Sequence, residues 1–223
     1  MKLVLMSCCA PCSAGAIKQL ADGQIPGVDD FIVLFFNPNI FPAAEYDKRL
    51  AEQIRYCEKL GVKYAIGEYD HAAWRDAVRG MEDAPERGVR CSACFKFRFE
   101  YARRWAAEHG YDAVSSVFGV SRHKDQSQVD RAGYDVFPHP PPSGPHANSV
   151  CVGGNTAGGG ATQNVTRRGV ENIQYIPINW DEALRCEINR ASDFYRQKYC
   201  GCEFSMRHDT NATQNTEKIM VVR

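Results

Sequence analysis

A chain of 223 residues, 44% hydrophobic, has material for one domain with a substantial core. Its 27 basic residues balance 27 acidic ones, so overall charge attracts no nucleic acid and such a partner needs a local basic patch. No apolar run approaches the roughly 20 residues that span a bilayer, and the stretch before Cys8 is too short for a lipoprotein signal. Ten cysteines without an export signal then argue against a disulfide scaffold and for metal or redox chemistry in a reducing cytoplasm.

Residues 2–6 read as a strand and 13–20 as a helix, which puts Cys8, Cys9 and Cys12 on the turn between them. In an open α/β sheet that turn faces the ligand crevice. Residues 31–36 are a continuous apolar run of strand length, followed by the rigid loop Asn37-Pro38-Asn39-Ile40-Phe41-Pro42. Pro42 suits a first helical position, and Tyr46, Leu50, Ile54, Cys57 and Leu60 recur at helical spacing until Gly61. Cys57, on that stripe, reads as a packed core thiol. A third strand is expected over 62–69 and a helix over 71–79. The charged loop 82–90 then leads to Cys91-Ser92-Ala93-Cys94, placed directly before a helix marked by Phe95, Phe99, Ala102, Ala106 and His109.

A fourth strand over 113–118 closes in Gly119-Val120-Ser121-Arg122-His123-Lys124-Asp125, and a polar helix runs to about Gly133. Residues 137–170 are rich in Gly and Pro and read as a mobile loop, with Cys151 an incidental thiol in it. A strand at 174–178 precedes a helix from about Asp181, with Leu184, Ile188, Ala191 and Tyr195 on one face and Cys186 near it as a structural thiol. Cys200-Gly201-Cys202 follows, then a polar tail over 209–223. Alternation of strand and helix with right-handed crossovers gives a Rossmann-like parallel sheet with helices on both faces, one α/β domain over 1–208.

Seven of the ten cysteines fall in three tight groups: Cys8, Cys9 and Cys12; Cys91 and Cys94; Cys200 and Cys202. The Cys-x-x-Cys spacing puts two sulfurs on one turn, where helix N-terminal amides favour thiolate. Pairing Cys9/Cys12 with Cys91/Cys94 satisfies zinc, but leaves three grouped thiols unexplained. A four-thiolate iron–sulfur cluster with three thiols beside it uses the inventory better. A thioredoxin-like pair fits less well, because Cys91 comes too late in the chain. The Cys200/Cys202 pair suits a reversible disulfide or ligands to a neighbouring metal. Basic residues interleaved with aromatics flank the clusters: Arg87, Arg90, Lys96, Arg98, Arg103 and Arg104 with Phe95 and Phe97, then Arg190, Arg196, Lys198 and Arg207 with Tyr195 and Tyr199. They fit phosphate contact and base stacking on single-stranded RNA, although alone they read as solvated helix faces. His123 and Asp125 are candidate proton donors.

Taken together, Cys8-Cys9-Ala10-Pro11-Cys12-Ser13, Phe36-Asn37-Pro38-Asn39-Ile40, Glu45-Tyr46, Glu86-Arg87-Gly88 with Arg90-Cys91-x-x-Cys94-Phe95, Ser121-x-His123-Lys124-Asp125 and Tyr195-Arg196-Gln197-Lys198-Tyr199-Cys200-Gly201-Cys202 resemble the QueH family of epoxyqueuosine reductases. The resemblance spans about 1–135 and 174–207. It implies a fold like the adenine-nucleotide α-hydrolases, and reduction of epoxyqueuosine to queuosine in the tRNA anticodon loop, the last step of queuosine synthesis. It also implies a [4Fe–4S] cluster on Cys8, Cys9, Cys91 and Cys94, with Cys200 and Cys202 as a redox-active pair or as ligands beside a second, mononuclear iron. Cys12, an aspartate in some relatives, is expected to ligate that second metal. The partners implied are tRNA carrying epoxyqueuosine and an electron donor of unknown identity, with no membrane. A zinc-stabilised RNA-binding module and a thiol–disulfide oxidoreductase are the rival readings.

Overall fold

Leu3, Val4, Leu5 and Met6 leave no surface exposed, the signature of a central strand covered on both faces. They form β1 (Lys2–Met6) of a computed structural model that describes residues 1–137 and 169–206. β1 pairs in parallel with β2 (Asp30–Phe35) on one side and β4 (Ala113–Ser116) on the other. β3 (Tyr64–Ile66) and β5 (Gln174–Tyr175) form the edges, giving the order β3-β2-β1-β4-β5, all parallel. The chain leaves β1 towards β2 and returns on its other side at β4. A crevice therefore opens beyond the carboxyl ends of β1 and β4, where ligands bind in such sheets.

The helices are α1 (Ala10–Ala21), α2 (Ala43–Lys59), α3 (His71–Ala77), α4 (Val89–Glu108), α5 (Gln126–Val136) and α6 (Glu182–Ala191). α1 packs on α2 and α6, and α4 packs on α3 and α5. Right-handed crossovers put the two groups on opposite faces of the sheet. On α4, Phe95, Phe99, Ala102 and Ala106 form the buried stripe, and Phe99 meets Phe118, Phe137 and Tyr175. Each such side chain contributes about 1.5–3 kcal/mol by leaving water. Gly15 lets α6 approach α1 closely: a Cβ there would lie 3.0 Å from the Arg185 backbone.

The α/β parallel sheet is as expected, and Cys57 is fully buried in the core. Several boundaries differ. α1 starts at Ala10, so Cys12 lies in its first turn and Cys9 is the N-cap; Pro11 is tolerated there because first-turn amides have no intrahelical partner. Cys91 and Cys94 likewise lie inside α4, which starts at Val89 rather than after them. β3 and β5 are shorter than the expected strands, each an edge strand that pairs on one side only. β4 gives way to a 3₁₀ turn at Phe118–Val120, and α5 continues past Gly133 to Val136. α6 ends at Ala191, so Tyr195 is not on it; Leu184 and Ile188 are half-buried, and Cys186 is exposed rather than structural. The 137–170 loop (bar its ends), Cys151, Arg207 and the 209–223 tail lie outside the described residues. No described helix is long and apolar enough to cross a membrane.

Candidate active site

The cysteine turn is fixed from both ends. Ser7 N donates to Leu34 O at 3.0 Å, and Asn37 Nδ2 donates to Ser7 O at 2.9 Å, tying the turn to β2 and its loop. The Ser7 and Ser13 hydroxyls both donate to Gln53 Oε1, at 2.6 and 3.0 Å. Cys9, extended at the α1 N-cap, and Cys12, three residues on, then return to the same side of the turn. The sulfurs of Cys8, Cys9 and Cys12 all lie within 4.8 Å of one another and all three residues are buried. Among the described residues this is the one set of three or more metal-ligating side chains that close.

Cys91 and Cys94, three apart on α4, share a helix face. Arg87 N donates to Cys91 Sγ at 3.3 Å. Arg90 is buried and donates to the carbonyls of Met81 (3.4 Å), Glu82 (2.7 Å) and Ala84, folding the charged loop onto the helix start. Cys94 packs with Cys202, Trp74, Val78 and Phe204 in a small separate apolar cluster. The Cys200-Gly201-Cys202 loop is held from α2 and from the Asn37–Phe41 loop. Phe41 N donates to Gly201 O at 2.8 Å, and Ile40 and Cys202 form an antiparallel bridge. Arg49 donates to Cys200 O at 3.1 Å and Tyr199 O at 3.2 Å while paired with Glu45 at 2.7 Å. Gly201 has φ 109°, and a Cβ there would sit 2.9 Å from Arg49 Nη1, so only glycine fits. Neither Cys200 nor Cys202 is in a disulfide.

Two buried cations lie among the groups. Lys124 Nζ is 3.7 Å from Cys8 Sγ and also interacts with Cys200 and Cys12. Arg98 interacts with Cys94, Cys8 and Cys200, donates from Nε to Phe36 O at 3.1 Å and from Nη2 to Asn37 Oδ1, and lies 3.6 Å from the Phe118 ring centre. Burial opposes the Lys124 ammonium, yet the nearby sulfurs hold its pKa above the ordinary lysine value. Hydrogen bonding from Cys12 and Cys9, aided by Lys124 and Arg98, holds Cys8 well below the usual thiol range against the effect of burial. Cys9 is pushed up by burial, and Cys12 up to about 12 by its hydrogen bond with Cys8. Burial also raises Cys91 to about 11, Cys202 to about 12, and Cys94.

Cys8, Cys9 and Cys12 are thus brought within reach of a single metal ion, a set that does not include Cys91 and Cys94, and the Cys200/Cys202 loop lies within electrostatic range of Cys94 and Cys91. The early basic run is a solvated face only in part, with Arg87 and Arg104 exposed. Arg90 and Arg98 are buried, Arg103 donates to Val136 O at 2.7 Å, Lys96 pairs with Asp135 at 2.7 Å, and Phe95 is buried. Asp125 caps α5, and hydrogen bonds from Ser127 and the Gln128 amide lower its pKa. His123 lines a cleft of about 540 Å³ whose walls include Pro11, Cys12, Ser121, Lys124 and Gln197. Sequence reasoning gave no role to Lys124, Gln197 or the Glu45–Arg49–Gln53 series. The spacing of four between those last three was the available signal. Gln197 Nε2 donates to Cys9 Sγ at 2.7 Å and approaches Cys12 Sγ at 3.8 Å.

The family model described as Epoxyqueuosine reductase QueH matches residues 3–139 and 161–208. The chain belongs to that family. Among curated relatives, the Epoxyqueuosine reductase QueH of Histophilus somni is 37% identical over 94% of this chain and 74% of its own length. That of Acinetobacter baylyi is 36% identical over 94% and 82%, and that of Haemophilus influenzae 32% identical over 96% and 76%. A distant likeness, at TM-score 0.47 and 16% identity, joins 99% of this chain to 67% of the U34-tRNA thiolase NcsA from Methanococcus maripaludis with its [4Fe–4S] cluster. The QueH match covers all three cysteine groups and both sides of the cleft.

Proposed function

We propose that this QueH family member reduces epoxyqueuosine to queuosine in the anticodon loop of tRNA, using an iron–sulfur cluster bound at the cysteine turn. The observation that carries metal at the turn is the buried triad Cys8, Cys9 and Cys12 at the carboxyl end of β1, its sulfurs within 4.8 Å of one another. Its chemistry fits: thiolates are the usual ligands of iron–sulfur clusters, and zinc is the competitor. The charge also fits. Lys124 and Arg98 are buried with no carboxylate partner among the described residues, and buried charges are costly unless paired. A thiolate-bound cluster, negatively charged overall, is a partner of the required sign. By the family resemblance Cys8, Cys9, Cys91 and Cys94 hold a [4Fe–4S] cluster. Cys12 then ligates a second iron, and Cys200 and Cys202 cycle as a dithiol or support that iron.

The reaction removes the epoxide oxygen as water, taking two electrons and two protons and leaving an alkene. When bound, the cluster supplies the electrons and an open iron polarises the epoxide oxygen. The chain's own residues do the rest. The cleft has the size of pockets that take one small ligand, so it suits a single nucleoside splayed out of an RNA loop. Cys12 and Lys124 in its wall bring that nucleoside against the thiols. Gln197 and Lys124 hold the Cys9 and Cys8 sulfurs in place. His123, on the cleft wall 3.4 Å from Glu86, is the candidate proton donor.

The test is conversion of tRNA-borne epoxyqueuosine to queuosine by anaerobically reconstituted protein with a chemical reductant, read by mass spectrometry of the digested nucleosides. Turnover lost in Cys9→Ala supports the proposal. A colourless chain with zinc bound and no conversion sinks it.

A further inference from the structure

Most basic side chains in the cleft already have a partner. Arg185 pairs with Glu182, His123 lies 3.4 Å from Glu86, and Lys124 faces Cys8. Arg122 and Arg196 differ: both line the cleft, both are exposed, and neither has a carboxylate partner among the described residues. Their backbones are nonetheless pinned. Arg87 Nη2 donates to Arg122 O, and Lys124 N closes the same loop on Ser121 O at 3.0 Å. Beside Arg196, Tyr195 N donates to Glu52 Oε1 at 2.6 Å, and Gln197 is anchored on Cys9. Arg122 Nε donates to His123 Nε2 at 3.4 Å, a contact with an imidazole rather than a carboxylate. Fixed backbone beneath a guanidinium that has no carboxylate partner lowers the ordering cost of binding, and the guanidinium fork matches two phosphate oxygens.

We infer that Arg122 and Arg196 hold RNA backbone phosphates on either side of the nucleotide that enters the cleft. The inference rests on reading the cleft as the nucleotide pocket of the reductase. A chain with balanced charge has no long-range pull on RNA, so its affinity depends on local contacts of this kind. Two separate cations suit a nucleotide splayed from a continuous strand, which carries a phosphate on each side. A free nucleotide is the other source of the same chemistry, and competition tells the two apart.

The experiment measures binding of a labelled anticodon stem-loop RNA to the full reconstituted chain over a salt series. Arg122→Gln, Arg196→Gln, the double variant and Arg131→Gln are compared; Arg131 is an exposed α5 arginine outside the cleft lining. Unchanged circular dichroism and melting midpoint establish that the variants are folded. The slope of log affinity against log salt becomes shallower by about 0.7 in each single cleft variant and about 1.4 in the double one, while Arg131→Gln leaves it in place. An unchanged slope in the double variant, an equal change in Arg131→Gln, or no RNA binding by the parent chain overturns the inference. So does ADP that displaces the RNA from the parent and loses its own affinity in the double variant. Salt-dependent binding without turnover of epoxyqueuosine tRNA removes the reductase reading but not the phosphate contacts; turnover with unaltered slopes removes only the contacts.

Discussion

The cysteine turn and the Cys200-Gly201-Cys202 loop both carry buried or half-buried thiols, but different forces hold them. The turn is local: six residues of continuous chain, Ser7 to Cys12, leave the central strand, cap a helix and return a third sulfur to the first two. Its positions follow from backbone geometry within one strand–helix unit. The loop has no regular structure of its own and borrows its shape from Arg49 on α2 and from the Asn37–Phe41 loop. A preformed triad thus faces a conditional pair. In the proposed function the triad holds the metal, and the pair changes state without disturbing the sheet.

The largest test of that contrast is Arg49→Met. Removing the cation leaves Glu45 buried beside Tyr195 and frees the Cys200 and Tyr199 carbonyls, a loss of about 3–5 kcal/mol. Chemical denaturation measures it, and a loss below about 1 kcal/mol would mean the loop is held by something else. Gly201→Ala comes next, at about 1–3 kcal/mol, because φ 109° and the nearby guanidinium both resist a Cβ. Expected with it is a selective rise in hydrogen exchange at 199–202, with β1 and the start of α1 unaffected; uniform exchange through both regions would erase the distinction. Gln197→Ala is the mildest, about 0.5–1.5 kcal/mol, since it removes one hydrogen-bonding side chain. Because Gln197 links the C-terminal segment to Cys9, the reconstituted variant should also show a shifted reduction potential, read by redox titration. An unshifted potential would separate Gln197 from the metal.

Legibility in the sequence followed the same divide. The 31–36 run, the α2 stripe and the Phe95–Phe99–Ala102–Ala106 face could be read because burial repeats at the period of one element. The triad could be read because its three thiols are neighbours in the chain. The helix starts at Ala10 and Val89 were missed because neither Cys9 nor Gly88 caps its helix with a side-chain hydrogen bond, and Pro11 looked like part of a turn. Arg98 and Lys124 were the harder failures. Their burial comes from sulfurs and aromatic rings contributed by distant segments, and no local pattern records a tertiary partner.

In the proposed function one cluster bridges the cysteine turn and α4. Iron and acid-labile sulfide counts, with the visible absorption spectrum, on anaerobically reconstituted parent, Cys9→Ala and Cys91→Ala proteins decide this. About four irons and four sulfides per parent chain are expected, with a large loss in both variants. A Cys91→Ala protein that keeps the full complement, or a parent that takes up about one zinc and no iron, would contradict it.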